Sequence, residues 1–228
     1  MSEFVKNLEH VARGNEQPIG FGSKNKEKNN AMLIIARIRS IEGSVVNEAV
    51  EGGVDALLFD IENPVSKLEM ISKISSSMRK VPWGMCLKGN DGEQIEKIGD
   101  AGCDFVVMTT DVSAQLLLDD KMGKMLEVDT SFVDSLAEAI SEISVDALLL
   151  TDEFGVSPLT IGRLLNYHRV SSCSGKMVVA QSPQDIDDID VLFEAGVRGV
   201  IVSATVEGRG TDFKKIKDKI QKVSGKKK

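Results

Sequence analysis

The sequence predicts an α/β protein, a closed (βα)8 TIM barrel preceded by a short N-terminal helix. Three observations carry that expectation. Strand-like apolar runs alternate with amphipathic helical stretches, the pattern of a parallel sheet covered by helices. Eight such units fit into about 200 residues, the size at which a parallel sheet closes on itself. Four strand starts also share one plan: Gly53-Val54-Asp55-Ala56, Gly102-Cys103-Asp104-Phe105, Val145-Asp146-Ala147 and Gly196-Val197-Arg198-Gly199. Val54, Cys103, Val145 and Val197 lie 49, 42 and 52 residues apart, so a unit of two strands and two helices recurs. The alternative is a doubly wound open sheet; no Gly-x-Gly-x-x-Gly follows the first strand to favour it.

Phe4, Val5, Leu8, Val11 and Ala12 recur at helical spacing, which predicts a helix over 3–13 ended near Gly14. Polar residues 22–30 read as a loop, so 1–30 form a helix and loop and 31–228 a single barrel domain. Met32 to Ile38 reads as the first strand, apolar on both faces as buried parallel strands are. Ile19 to Gly22 competes for that role. A helix over 43–51 leads to strand 2 at 55–61, and Pro64 opens a helix with an apolar stripe of Leu68, Ile71, Ile74 and Met78. Strand 3 is Trp83 to Lys88, a helix covers 92–100, and strand 4 is Phe105 to Thr110, followed by a short helix at 113–121. Strand 5 is Met125 to Asp129, before a helix carrying Phe132, Leu136, Ile140 and Ile143. Strand 6 is Ala147 to Asp152, a helix spans 158–168, and strand 7 is Met177 to Gln181. A helix at 183–195, strand 8 at Val200 to Ala204 and a last helix marked by Phe213, Ile216, Ile220 and Val223 complete the chain.

Composition excludes several classes. With a net charge of −7 and pI near 5.0, the chain lacks the clustered basic excess of a nucleic-acid surface. Cys86, Cys103 and Cys173 are odd in number and widely spaced, which fits reduced thiols rather than disulfides or zinc. Residues 1–30 lack an apolar signal-type core, and no run approaches the roughly 18 apolar residues of a membrane helix. The expectation is a cytoplasmic chain with no membrane or nucleic-acid partner. Its partner is a small anionic molecule, and self-association is compatible with the sequence.

In such barrels the reacting groups sit at the carboxyl ends of the strands, and alternation decides which side chains face the axis. On strand 2, Ala56, Leu58, Asp60 and Glu62 face inward; on strand 5, Glu127 and Asp129 do. The same rule brings Arg37 and Arg39, Lys88, Thr109 and Asp111, Gln181, and Ser203 and Thr205 to the mouth, with either Asp152 or the pair Thr151 and Glu153 from strand 6. Crowded carboxylates raise one another's pKa, so a cation should accompany them. Oxygen ligands without His or Cys suit Mg2+ or Mn2+, and Glu127 with Asp152 is the candidate ligand pair. The structural alternative is that the carboxylates pair with Arg37, Arg39 and Lys88. Lys88 can be a Schiff-base nucleophile, a cation holding substrate or a plain ion-pair member. His10 and His168 fall away from the mouth, and Cys86 faces inward below Lys88 as a buried thiol. After strand 8, Gly208, Arg209 and Gly210 form either a phosphate-binding turn or a simple turn before a cap at Thr211 or Asp212.

Asp60-x-Glu62, Glu127 and Asp152, each at a strand end, together resemble the phosphoenolpyruvate/pyruvate barrels, specifically the metal-dependent 2-oxo-acid aldolase and citrate lyase β-subunit group. Ala56 to Asn63 is similar to that group's second strand, Leu126 to Thr130 to the strand whose Glu binds metal, and Asp146 to Asp152 to the next. Lys88 stands where that group carries arginine. The resemblance implies a divalent ion, held by Glu127 and Asp152, that binds a pyruvate-like enolate as a Lewis acid. The leading expectation is an aldolase or lyase acting on a small 2-oxo acid, with Lys88, Asp60 and Glu62 as catalytic residues and Arg37, Gln181 and Ser203 at the substrate. Two alternatives stand beside it: a metal-free sugar-phosphate isomerase or lyase using Gly208 to Gly210 for phosphate, and a non-catalytic binding or scaffold barrel.

Overall fold

A computed structural model describes residues 2–13, 30–75, 81–89, 94–129, 138–151, 159–182, 185–204 and 213–226. Eight parallel strands close into a barrel in sequence order: β1 (Leu33–Ile38), β2 (Ala56–Phe59), β3 (Trp83–Leu87), β4 (Phe105–Met108), β5 (Gly123–Asp129), β6 (Ala147–Thr151), β7 (Met177–Gln181) and β8 (Val197–Ala204). Closure is made by β1 against β8, with Arg37 opposite Ser203. The helices are α1 (Glu3–Arg13), α2 (Gly43–Glu51), α3 (Leu68–Ser75, entered through a 3-10 turn at Pro64–Lys67), α4 (Ile95–Asp100), α5 (residues 138–142), α6 (Ile161–Cys173), α7 (Asp188–Glu194) and α8 (Phe213–Lys226). The connection from β4 to β5 carries only a 3-10 turn, Ala114–Leu118, where a short helix is expected. The first strand is Leu33–Ile38; Ile19 to Gly22 lies outside the described residues. Among the described residues no helix is long and apolar enough to cross a membrane.

Alternation divides the core in two. Leu57 and Phe59 pack outward with the helices, whereas Ala56 and Leu58 join Leu33, Ile35, Phe105, Val107, Met125, Leu149, Val179 and Ile201 inside the barrel. Helix α1 belongs to the inner cluster: Phe4, Val5, Leu8 and Val11 are all buried in it. Phe4 stacks on Phe105 with ring centroids 4.0 Å apart. The helix therefore plugs the N-terminal end of the barrel. Its first turn is held by Asp104, at the foot of β4, which accepts bonds of 2.8 Å from Ser2 Oγ and from the backbone N–H groups of Glu3 and Phe4. The close fit requires Gly123, where a Cβ would lie 2.6 Å from Val5.

The repeated strand start now has a physical basis. Gly53 (φ 80°), Gly102 (φ 90°) and Gly196 (φ 94°) take the left-handed conformation that ends a helix without a Cβ penalty. In two copies the next N–H returns to the helix in the pattern of a Schellman cap, from Val54 to Ala49 and from Cys103 to Ile98. The aspartates that follow stitch the barrel's foot. Asp55 accepts from Ile34 N at 2.9 Å and Asp146 from Lys124 N at 2.7 Å, each on the preceding strand, while Asp104 is given over to α1. Burial raises the Asp55 pKa, with the Ile34 N–H, Lys217 and Asn30 opposing the rise. Arg198 breaks the pattern because the β7–β8 register shifts there, from Val178 opposite Val197 to Val179 opposite Gly199. Its guanidinium donates to the Phe193 and Val197 carbonyls instead.

Candidate functional site

The polar end of the barrel lies at the strand carboxyl ends, directly above the apolar interior. Arg37 marks the boundary. It comes from β1 beside Leu58 and Ser203 in register, and only 8% of its surface is exposed. Its guanidinium lies between two carboxylates, with Nε 3.0 Å from Asp60 Oδ2 and an NH2 nitrogen 3.9 Å from Glu127 Oε2. In a closed ring of eight strands β5 lies opposite β1, so this side chain crosses the axis and floors the mouth. A guanidinium buried alone would cost several kcal/mol, which Asp60 and Glu127 offset. Burial works against its charge, but Cys86, Asp60 and Glu127 outweigh burial and the Arg37 pKa is raised. The Asp60 oxygen sits off the N–H direction, so Nε makes an ion pair and no hydrogen bond.

Asp60 gathers three cations. Besides Arg37, Arg39 Nε stands 3.6 Å from Oδ2 and Lys88 Nζ 3.5 Å from Oδ1. Position follows from backbone: Asp60 N–H donates to the Ile38 carbonyl at 2.9 Å, which fixes the residue beside the end of β1. Beyond Lys88, Gly89 (φ 52°) turns the chain and its N–H donates to Asp111 Oδ2 at 3.1 Å. Thr109 Oγ1 donates to the other Asp111 oxygen. That bond, aided by the Gly89 N–H and Lys88 and opposed by desolvation, holds the Asp111 carboxyl below its ordinary range. Cys86 lies beneath Lys88, facing inward as its parity requires; burial, with Asp60 adding to it and Arg37 opposing, pushes its thiol up to about 12.

The structure thus brings Arg37, Arg39, Asp60, Lys88 and Glu127 together. Glu62 is exposed beyond the end of β2, next to the left-handed Asn63. Gln181 and Ser203 are half-buried at the ends of β7 and β8. On β6, Ala147 and Leu149 face inward and Leu148 and Leu150 outward, so Thr151 takes the axial place. Asp152, Gly208, Arg209 and Gly210 lie outside the described residues. Among the described residues there is no group of three or more His, Cys, Asp or Glu side chains that could hold a metal. Arg39 was legible as an axial residue, yet its convergence with Lys88 on a single carboxylate depends on the register of three strands and has no local signal.

The barrel resembles solved structures at low identity. The tryptophan synthase α-subunit of the hyperthermophile Pyrococcus furiosus has a TM-score of 0.65 at 11% identity, over 86% of this chain and 98% of that one. Thiamine phosphate pyrophosphorylase from Pyrococcus furiosus has a TM-score of 0.58 at 16% identity, over 85% of this chain and 96% of that one. At such identities the likeness is one of fold. No family model and no curated protein matches the sequence.

Proposed function

We propose that the protein is a small-molecule enzyme of the aldolase or lyase type, acting on a compact 2-oxo acid at the carboxyl ends of the strands. The observation that carries this reading is the convergence of Arg37, Lys88, Asp60 and Glu127 above the closed apolar core. The two solved structures named above bear the names of small-molecule enzymes, and the sequence resemblance to the 2-oxo-acid aldolases supports the same class. In this reading Lys88 holds the substrate's carboxylate, and Arg37 stabilises the negative charge that develops on the keto oxygen as an enolate forms. Asp60, ion-paired to three cations, serves better to orient them than to move protons. Glu127, at 3.9 Å from its guanidinium partner, is the better proton carrier.

A divalent ion enters the proposal only through Glu127 and Asp152. The described residues do not by themselves make a metal site, so the steps above are assigned to side chains alone. Deuterium exchange at the methyl group of pyruvate, followed by NMR with and without added Mg2+ or Mn2+, tests the reading. Exchange that falls about 100-fold in Glu127→Gln supports it; the absence of exchange under both conditions overturns it. One observation favours a second reading, a binding barrel without catalysis: Arg37, Arg39 and Lys88 are all ion-paired to Asp60. That reading predicts a metabolite-induced rise in melting temperature with no turnover.

A further inference from the structure

We infer that Arg39 and Lys88 form a two-armed clamp for a compact oxoanion, with Asp60 as the counter-ion they hold until that anion displaces it. The inference rests on reading the strand ends as the substrate site and names the group recognised there, a carboxylate or a phosphate. Three cations meet Asp60, and they are unequal. Arg37 approaches to 3.0 Å with its side chain 10% exposed, whereas Arg39 at 3.6 Å and Lys88 at 3.5 Å have side chains 63% and 61% exposed. Exposed pairs at such distances contribute little, because solvent screens them and two long side chains must be held in place. Arg39 and Lys88 can therefore exchange one carboxylate for another at small cost. Asp60 keeps Arg37 throughout and is never left buried without a partner.

The geometry suits exchange in a second respect. Arg39 follows β1 and Lys88 follows β3, so the arms rise on either side of β2 and reach different oxygens of Asp60, Oδ2 and Oδ1. A carboxylate or phosphate offers an equivalent pair of oxygens to the same two arms. The backbone beneath them is fixed, by the bond from Asp60 N–H to the Ile38 carbonyl and by that from Gly89 N–H to Asp111. Exchange then needs only side-chain rotation. Arg39 supplies a planar fork that can take two oxygens at once, and Lys88 a point charge that follows the anion.

Calorimetric titration of the full chain with pyruvate and, separately, with inorganic phosphate at low ionic strength tests the clamp. The double variant Arg39→Gln/Lys88→Gln should bind the preferred anion about 25-fold more weakly, about five-fold per exposed cation. Asp60→Asn, which removes the competing charge and keeps the shape, should bind it several-fold more tightly. Which probe binds identifies the anion. Binding of neither probe, an unchanged affinity in the double variant, or a weaker affinity in Asp60→Asn overturns the inference. Should Asp60→Asn fail to fold, the double variant decides alone, since both of its sites are exposed. Binding that follows this pattern without turnover leaves the clamp standing and removes the catalytic reading. Pyruvate exchange with unaltered affinity in the double variant removes the clamp and leaves the enzyme.

Discussion

Replacing Asp104 by alanine should loosen the N-terminal plug while leaving the strand-end site intact. Three hydrogen bonds of 2.8 Å disappear, from Ser2 Oγ and from the N–H groups of Glu3 and Phe4. The Glu3 bond is exposed and water can replace it. The other two are shielded, and at about 1.5 kcal/mol for each bond to a charged acceptor they amount to about 3 kcal/mol. For a chain of 228 residues this corresponds to a fall in melting temperature of about 6–12 °C. Thermal unfolding followed by circular dichroism reads the shift. Amide hydrogen exchange should show residues 3–13 losing more protection than β1 or β4, because the Asp104 carboxylate is what seats the first turn of α1. A melting temperature within about 2 °C of the parent, or protection lost evenly over the barrel, would refute the assignment of Asp104 as the anchor of the plug.

Two further predictions follow from packing and burial. A Cβ at Gly84 would lie 2.5 Å from the Phe105 ring and 2.5 Å from its carbonyl oxygen, and the carbonyl is backbone that cannot turn aside, so Gly84→Ala should cost about 1–3 kcal/mol or more in denaturant unfolding. Gly43→Ala, with nothing within 4 Å, is the matched control and should be neutral or slightly stabilising. With an aromatic disulfide reagent at pH 8, the exposed Cys173 should react rapidly. Cys86 is buried with its pKa pushed up to about 12, and burial also raises that of Cys103. Less than about one Cys86 in a thousand is thiolate at that pH, so both should react only after unfolding. Three fast-reacting thiols in the native protein would contradict the packing.

Legibility in the sequence divides along local and long-range lines. Residues that alternate along one strand were readable: Leu57 and Phe59 face outward, Ala56 and Leu58 inward, and Asp60, Lys88, Arg37 and Glu127 reach the mouth as parity predicts. Strand β7 begins and ends where its apolar run does. Ends set by neighbours were less readable. Strand β5 starts at Gly123 and β8 at Val197 because adjacent strands supply ladder partners for residues that look like turns, and α6 runs on to Cys173. The partners of charged groups were the least accessible. Asp104 binds α1 across about one hundred residues of sequence, and nothing near it distinguishes it from Asp55 or Asp146, which bind strands. Crowding of charge at the mouth was legible, but not which group pairs with which. The distances show one carboxylate claimed by three cations, an outcome that depends on where β1, β2 and β3 end relative to one another.

The seated helix α1 also governs traffic. With Phe4, Val5, Leu8 and Val11 filling one end of the barrel, a solute at the strand ends has no passage through the core. Access to the strand ends is then from the face on which the Arg39 and Lys88 side chains are exposed.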